Sequence, residues 1–507
     1  MKKAWFKRFL YSVLALFFIL IAVFIWADHE LKKVLGSSTE EISISSIVKP
    51  SGMILIKNTN VLSEDCSYFK PKQDVVIKDG LIIKLGESQA DATITRIIDG
   101  KGKYLIPGLV DSHVHLKESK NDLYLYLANG VTYVREMAGS TAILEWRKAI
   151  AKDGIGPRMF IASPPVFSET GLTGYYYAWT RQAVNFSDKD AASIKIKQLK
   201  EAGYDAVKMY GFVNQEMFTT TLAVAKENAI PVIGHIPLVS LDRFYSSGQK
   251  EVAHIEELTI KTIDDFGKSI ARNPEEYLSY LNTRSAEIAR KLKENNVSVT
   301  STVWLCESFA AQKFNLKDKL RTIELKYVNP KIIEGTSLYK LGWLPESNGY
   351  EYDGEATAPA RALSLTFWKT YEKAIYIMAK ALLDQNVNIM AGTDSNVATA
   401  VPGFALHDEL ESLSKTGMTN SQVLYAATAA PGIWMKSTTG KIKIGYKSDL
   451  VLLSKNPLEA IKNTKSIDYV FFDKHVIDKA QIATILKEVE RANNKNRSKN
   501  IDLFVKK

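Results

Sequence analysis

The sequence predicts an α/β protein with three parts: a closed (β/α)8 barrel of TIM type, a small β-sandwich domain built from both ends of the chain, and an N-terminal transmembrane helix. Three observations predict it. Between about residues 107 and 435, eight short apolar runs alternate with helical stretches, the pattern of a parallel sheet with crossovers. Strand patterns with turn signals precede this region and return only after it. An apolar run from Phe9 to Trp26 is long enough to span a bilayer. With 507 residues, 46% of them hydrophobic and 24% charged, the chain has ordinary globular composition and room for one large domain and a smaller one.

Residues 1–8 form a basic flank, with Lys2, Lys3, Lys7 and Arg8 ahead of the apolar segment 9–27. That asymmetry orients the N-terminus toward the cytoplasm and the remainder to the extracytoplasmic side. A cleaved signal peptide, leaving a secreted or periplasmic protein, is the competing reading. The run is longer than a usual signal core, Ile25-Trp-Ala27 is a poor cleavage site, and no cysteine for lipidation adjoins it, so an uncleaved anchor is favoured. Residues 28–50 read as a polar linker. Gly52 to Lys57 and Asp74 to Leu85 read as strands, the latter folded at a Lys-Asp-Gly turn. Together with Gly440 to Leu453 and Tyr469 to Phe472 they predict one β-domain over 51–106 and 436–480.

The barrel, 107–435, takes its strands from Leu109 to Leu116, Val131 to Met137, Arg158 to Ala162, Ala206 to Tyr210, Pro231 to His235, Glu251 to Ile255, Val297 to Val303 and Asn388 to Thr393. An open doubly wound sheet would want Gly-x-Gly-x-x-Gly after the first strand, which the sequence lacks. Leu305 to Tyr376 exceeds one crossover and reads as helical elaboration over the barrel mouth, with turns such as Pro345 to Gly349. Residues 481–507 read as a charged helix or frayed tail.

Net charge is +10, but Lys and Arg are spread along the chain and gathered partly at its ends, which argues against a nucleic-acid groove. Cys66 and Cys306 have no Cys-x-x-Cys spacing, so neither a disulfide framework nor a cysteine zinc site is expected. Histidine carries the chemistry instead. His113 and His115 in Leu109-Val-Asp-Ser-His-Val-His-Leu116 occupy alternate positions of a strand, so both imidazoles point the same way and can clamp a metal. Barrel enzymes gather ligands at the C-terminal ends of separate strands, and His235 ends strand five, His254 strand six and Asp394 strand eight. Lys208 lies in strand four. His407 beside Asp408 reads as a helix-start residue, and His29 and His475 have no evident partners.

This ordered set, with Gly234-His-Ile-Pro237, the block from Pro402 to Leu410 and the stretch from Gly417 to Thr428, resembles the amidohydrolase superfamily from about Met53 to Asn456. The likeness is to the binuclear subgroup with a carboxylated lysine, in particular dipeptidase-like, prolidase-like and imidazolonepropionase-related members. It implies two divalent metal ions, of zinc type, held by His113, His115, Lys208, His235, His254 and Asp394, with the Lys208 carbamate as bridge. It also implies a metal-bridging hydroxide as nucleophile and Asp394 as general acid and base. An unmodified lysine would repel such metals, so Lys208 fits only if N-carboxylated or turned away. Val134-Arg-Glu136 and Val252-Ala-His254 depart from the Val-Arg-Asp and Ile-Glu-His common in relatives, which leaves the ligands intact but loosens inference about their surroundings.

The expected reaction is hydrolysis of a small-molecule C–N amide: a dipeptide, an N-acyl amino acid or a cyclic amide. A lactone, carbamate or phosphotriester would suit the same nucleophile, and an inactive scaffold or binding homologue is the reading from another class. Tyr210, in phase with Lys208 and nearer the mouth, is a candidate for orienting the substrate. Trp304 and the aromatic loop from Ser163 to Trp179 are candidate pocket walls, and Arg135 a candidate carboxylate partner. Homo-oligomers are compatible with all of this.

Overall fold

The computed structural model of the chain describes residues 2–505, apart from residues 88–92, 187, 337, 340, 346 and 352–356. Helix α1 (Lys2–Val34) is the one helix among them long and apolar enough to cross a membrane. Its last turns and the segment after it depart from the linker that composition predicts. Ala27 and Leu31 are buried, Asn329 Nδ2 donates to Gly36 O (3.0 Å), and Ile42, Ile44 and Val48 are buried in an apolar cluster. Isoleucine and valine at alternating positions drive that docking despite the serines between them.

Strands β1 (Met53–Leu62), β2 (Phe69–Lys78), β3 (Leu81–Leu85), β4 (Ile94–Asp99) and β5 (Tyr104–Pro107) follow. The β2–β3 hairpin turns at Asp79 and Gly80, both at positive φ (50° and 73°), as a two-residue turn matched to strand twist requires.

The chain then enters the barrel. Its strands are β6 (Leu109–Val114), β7 (Val131–Glu136) and β8 (Arg158–Ile161), then, after the two-residue rim strands β9 (Val166–Phe167) and β10 (Val184–Asn185), β11 (Val207–Met209), β12 (Val232–Gly234), β13 (Glu251–Val252), β14 (Ser298–Thr300) and β15 (Ile389–Met390). Neighbours pair in parallel, β6-β7-β8 and β11-β12-β13-β14-β15. Parallel bridges Ala162–Ala206 and Val114–Ser395 join the two runs, so the eight strands close into the predicted barrel. Around it run α2 (Asp122–Ala128), α3 (Thr141–Asp153), α4 (Gly171–Thr180), α5 (Lys189–Ala202), α6 (Gln215–Glu227), α7 (Leu241–Tyr245), α8 (Ile255–Phe266), α9 (Pro274–Glu294), α10 (Val303–Leu320), α11 (Pro330–Glu334), α12 (Ala358–Asp384), α13 (Phe404–Lys415), α14 (Asn420–Ala426) and α15 (Ala429–Trp434). The predicted elaboration is helical: α10 and α11 enclose a satellite core with Leu316, Leu320, Ile332, Ile333 and Trp343. Of the turn from Pro345 to Gly349, Glu346 lies outside the described residues.

Strands β16 (Leu450–Leu453), β17 (Ile467–Phe472) and β18 (His475–Asp478) return to the first sheet, in the order β18-β17-β16-β5-β1-β2-β3 with β4 beside β1. Both ends of the chain thus build one mixed sheet, as predicted. Of the strand expected from Gly440 to Leu453, only the last four residues form a ladder, because Gly440 and Gly445 turn at φ 75° and 85°. The last helix, α16 (Lys479–Asn496), starts at a reciprocal cap between Asp478 and Gln481 and buries Ile482, Ile485 and Val489. The chain beyond it is pinned rather than frayed. The Glu334 carboxylate accepts from Ser498 N (2.9 Å) and Lys499 N (3.1 Å), and Ile501 is buried, while the final two residues lie outside those described.

Candidate metal centre

The C-terminal ends of the barrel strands bring six predicted residues to one mouth. Period-two alternation on β6 sends His113 and His115 to the same side, and Asp394 follows β15 next to them. Asp394 Oδ1 lies 3.0 Å from His115 Nε2 and 3.4 Å from His113 Nε2, and one ligand atom of each of these three residues falls within 4.8 Å of the others. The His254 ring stands 4.4 Å from His113 and 5.1 Å from His235, centroid to centroid. Lys208 on β11 points into the same space. Its stem needs Gly234 beside it, since a Cβ at 234 would meet Met209 O at 2.2 Å and Lys208 Cδ at 3.1 Å.

The histidine and aspartate donors fit a divalent cation. His113 Nδ1 and Nε2, Lys208 Nζ and Asp394 Oδ1 are buried and make no hydrogen bond among the described residues, a cost that folded proteins accept where an ion takes the lone pairs of imidazole and carboxylate; an ammonium at Lys208 would repel that ion, and an N-carboxylated one would not. Electrostatics agree with that reading. Burial, aided by Lys208 and the other histidines, holds His113 well below the usual imidazole range and so neutral. Burial likewise lowers His254 to about 3 and Lys208 to about 8. For Asp394 burial acts upward, but the His115 imidazole outweighs it and keeps the carboxylate ionised. His115 itself is pushed up to about 9 by Asp394 and Glu136, against burial.

Side chains that sequence reasoning missed hold these groups. His235 Nδ1–H donates to Glu257 Oε1 (2.6 Å), and His254 Nδ1 lies 3.1 Å from Thr302 Oγ1, so each ring keeps Nε2 for the mouth. Asp111, in phase with His113, accepts from Thr393 Oγ1 (2.7 Å) and Thr393 N (3.1 Å), tying β6 to the Asp394 turn. Glu136, where relatives commonly carry aspartate, accepts from Leu116 N (2.6 Å) and Ala138 N (2.7 Å), and its Oε1 lies 3.9 Å from His115 Nδ1. The one signal for Glu136 was its place at the end of a strand.

The proposed substrate contacts divide. Tyr210 stands at the mouth, stacked 4.8 Å from Phe167 and tilted against His235 at 4.6 Å. Arg135 does not reach it. The side chain is 0% exposed, its Nη2 pairs with Glu251 Oε2 at 2.5 Å, and the guanidinium lies 4.3 Å from the Trp434 ring, so no substrate carboxylate can meet it. Trp304 packs into the satellite core with Lys319 Nζ 4.0 Å over its ring, rather than walling the mouth. The predicted loop from Ser163 to Trp179 contains β9 and most of α4. His407 lies in α13, its Nε2–H donating to Asn129 O (3.2 Å).

The sequence model of the amidohydrolase family matches residues 104–477. A dihydroorotase from Citrifermentans bemidjiense is 30% identical over 288 residues, which are 52% of this chain and 62% of that enzyme. One from Pelobacter propionicus is 26% identical over 287 residues with the same coverage, so the chain spans 62% of the length of these relatives. Among solved structures, a bottromycin amidohydrolase superposes with TM-score 0.66 at 18% identity, covering 92% of this chain and 93% of that one. A Xaa-Pro dipeptidase with methionine bound in its active site gives 0.60 at 16%, covering 84% and 100%. At these identities the structural likeness speaks for the fold.

Proposed function

Because the chain belongs to the amidohydrolase family, we propose that its metal centre hydrolyses the amide bond of a dipeptide, an N-acyl amino acid or a cyclic amide. The observation that carries this reading is the set of buried, unpartnered ligand atoms on His113, Lys208 and Asp394 at the barrel mouth. In this reading His113, His115, His235, His254, Asp394 and an N-carboxylated Lys208 would hold two zinc ions. When bound, such ions supply Lewis acidity, lowering the pKa of water toward about 7 and polarising a carbonyl.

The protein's own part is proton handling and alignment. Asp394, kept ionised by His115, takes the proton of the attacking water and returns it to the leaving nitrogen. The hydroxyl of Tyr210, on a ring fixed between Phe167 and His235, orients the substrate carbonyl. Helix α1 remains uncleaved in this proposal and holds the barrel on the extracytoplasmic face. The Phe24 ring lies 5.0 Å from Trp179 and Ala27 is buried, so a cut after Ala27 would remove both of these packing partners.

The test combines metal analysis with the Asp394→Asn variant on a library of dipeptides and N-acyl amino acids. The wild type should carry about two divalent ions per chain, and the variant should lose ~10³-fold or more in turnover with its circular dichroism unchanged. Wild-type protein that is folded, metal-free and unable to take up zinc would refute the assignment.

A further inference from the structure

Helix α4 is an unusual surface element. Its sequence, Gly-Leu-Thr-Gly-Tyr-Tyr-Tyr-Ala-Trp-Thr, carries no charge, and Leu172, Tyr175, Tyr176 and Trp179 recur at the spacing that lines one helical face. Leu172 is 89% exposed and Tyr175 77%, side chains that an ordinary soluble surface does not group together. Trp179, at the end of this face, meets α1: its ring lies 5.0 Å from Phe24, inside the apolar span, and its Nε1 bonds Asp28, just past the span. The contact fixes α4 at the level where the apolar run of α1 ends.

The apolar surface continues around the mouth. Ser168 Oγ donates to Phe212 O (3.2 Å), and Leu238 N donates to Val213 O (3.0 Å), so the loops after β9, β11 and β12 form one connected rim. At its tips Phe212 and Leu238 are 58% and 62% exposed. These tips lie two residues beyond Tyr210 and three beyond His235. On its other side α4 reaches the metal centre through Tyr177, whose ring lies 5.2 Å from Phe167, which stacks on Tyr210. Tyrosine and tryptophan at the end of a spanning helix, with leucine and phenylalanine beside them, are the side chains that sit in the headgroup layer of a bilayer.

We propose that the outer face of α4, with Phe212 and Leu238, is a collar that seats in the headgroup region of the bilayer spanned by α1, so that the barrel mouth opens at the lipid–water boundary. The proposal rests on the anchor reading of α1. Its occupant is the lipid surface itself, because the collar is continuous with α1, the one helix among the described residues long and apolar enough to cross a membrane.

The test uses the full chain reconstituted into phosphatidylcholine and phosphatidylglycerol vesicles that carry a chain-labelled doxyl phosphatidylcholine. An environment-sensitive fluorophore is attached at Leu172→Cys or Leu238→Cys on the collar, at Phe17→Cys in α1, or at Ile83→Cys on the distant β-sheet. All four positions are exposed, and native Cys66 and Cys306 are buried, so labelling is selective. Both collar reporters should show blue-shifted emission and loss of intensity to the doxyl lipid, while the Ile83 reporter is quenched only by aqueous iodide. If the Phe17 reporter is lipid-quenched but the collar reporters behave like Ile83, the collar is refuted and the anchor stands. If the Phe17 reporter is itself untouched by lipid, the anchor reading fails and takes the collar with it. Blue-shifted collar emission without lipid quenching would replace the membrane by a second copy of the chain.

Discussion

Two residues at the mouth sit where L-amino acids rarely do: Asp394 at φ 56° and Thr302 at φ 50°. Such conformations cost ~1–3 kcal/mol each and persist only where neighbours enforce them. Here Asp394 N donates to His113 O (2.8 Å) and Thr302 N to Gly392 O (3.1 Å), so each is locked to the next segment around the barrel. The side chains that orient the histidines are the next lever. Glu257→Gln leaves a neutral partner for His235 Nδ1, and zinc affinity measured by competitive chelation, together with turnover, should fall about 10–100-fold. A residue far from the mouth controls acid stability. His407 is buried, and that burial lowers it to about 3, against ~6.5 in an unfolded chain. Between those values the unfolded state binds a proton that the native state refuses. His407 therefore favours the fold fully above pH ~6.5 and loses that contribution as pH falls toward 3, at up to ~1.4 kcal/mol per pH unit. His407→Gln should flatten the acid limb of a thermal-stability profile, and an unchanged slope would contradict it.

At the scale of elements, the barrel strands are legible in sequence because each is a short run, most of them apolar, set off from the next by a helical stretch. The alternation on β6 tells which side His113 and His115 face. The supporting residues are not legible. Glu257 reads as an ordinary acidic residue in the first turn of α8, and Thr302 stands 48 residues from the histidine it touches. Arg135 misleads for the same reason: its partner Glu251 lies on a strand four places around the barrel, on the opposite side, and only closure brings them together. The block around Glu409, which looks like a site motif, is structural, since the carboxylate accepts from Val303 N (3.0 Å) and Trp304 N (2.7 Å) and caps α10. Strand β12 carries the sharpest constraint. Gly234 has φ 126°, and an added Cβ would strike Met209 O across the ladder. Gly234→Ala should destabilise the barrel by ~3 kcal/mol or more, read as a drop in Tm, whereas an unshifted Tm would mean that β11 and β12 can part without penalty.

For the whole molecule, the two-ended β-domain is legible because strand patterns flank the barrel. The docking of residues 28–50 is not, since serines mask the apolar positions that pack. That docking separates two truncations. Removing residues 1–23 should release the protein from membranes with its Tm nearly unchanged. Removing residues 1–34 also deletes buried Leu31, worth ~1.5–3 kcal/mol, and the Asp28 acceptor of Trp179, and should lower Tm by several degrees. Equal Tm values would detach α1 from the body. Helix α1 runs without a break for 33 residues into packed contacts, and its apolar run from Phe9 to Trp26, about 27 Å, matches a hydrocarbon core of about 30 Å and outruns only a thinner one. A span longer than its bilayer tilts, and a span without a hinge tilts whatever is fixed to it. In the anchored reading, a thinner membrane would then act through α1 as a lever arm on the protein, rocking the barrel and setting the angle at which its mouth meets the leaflet.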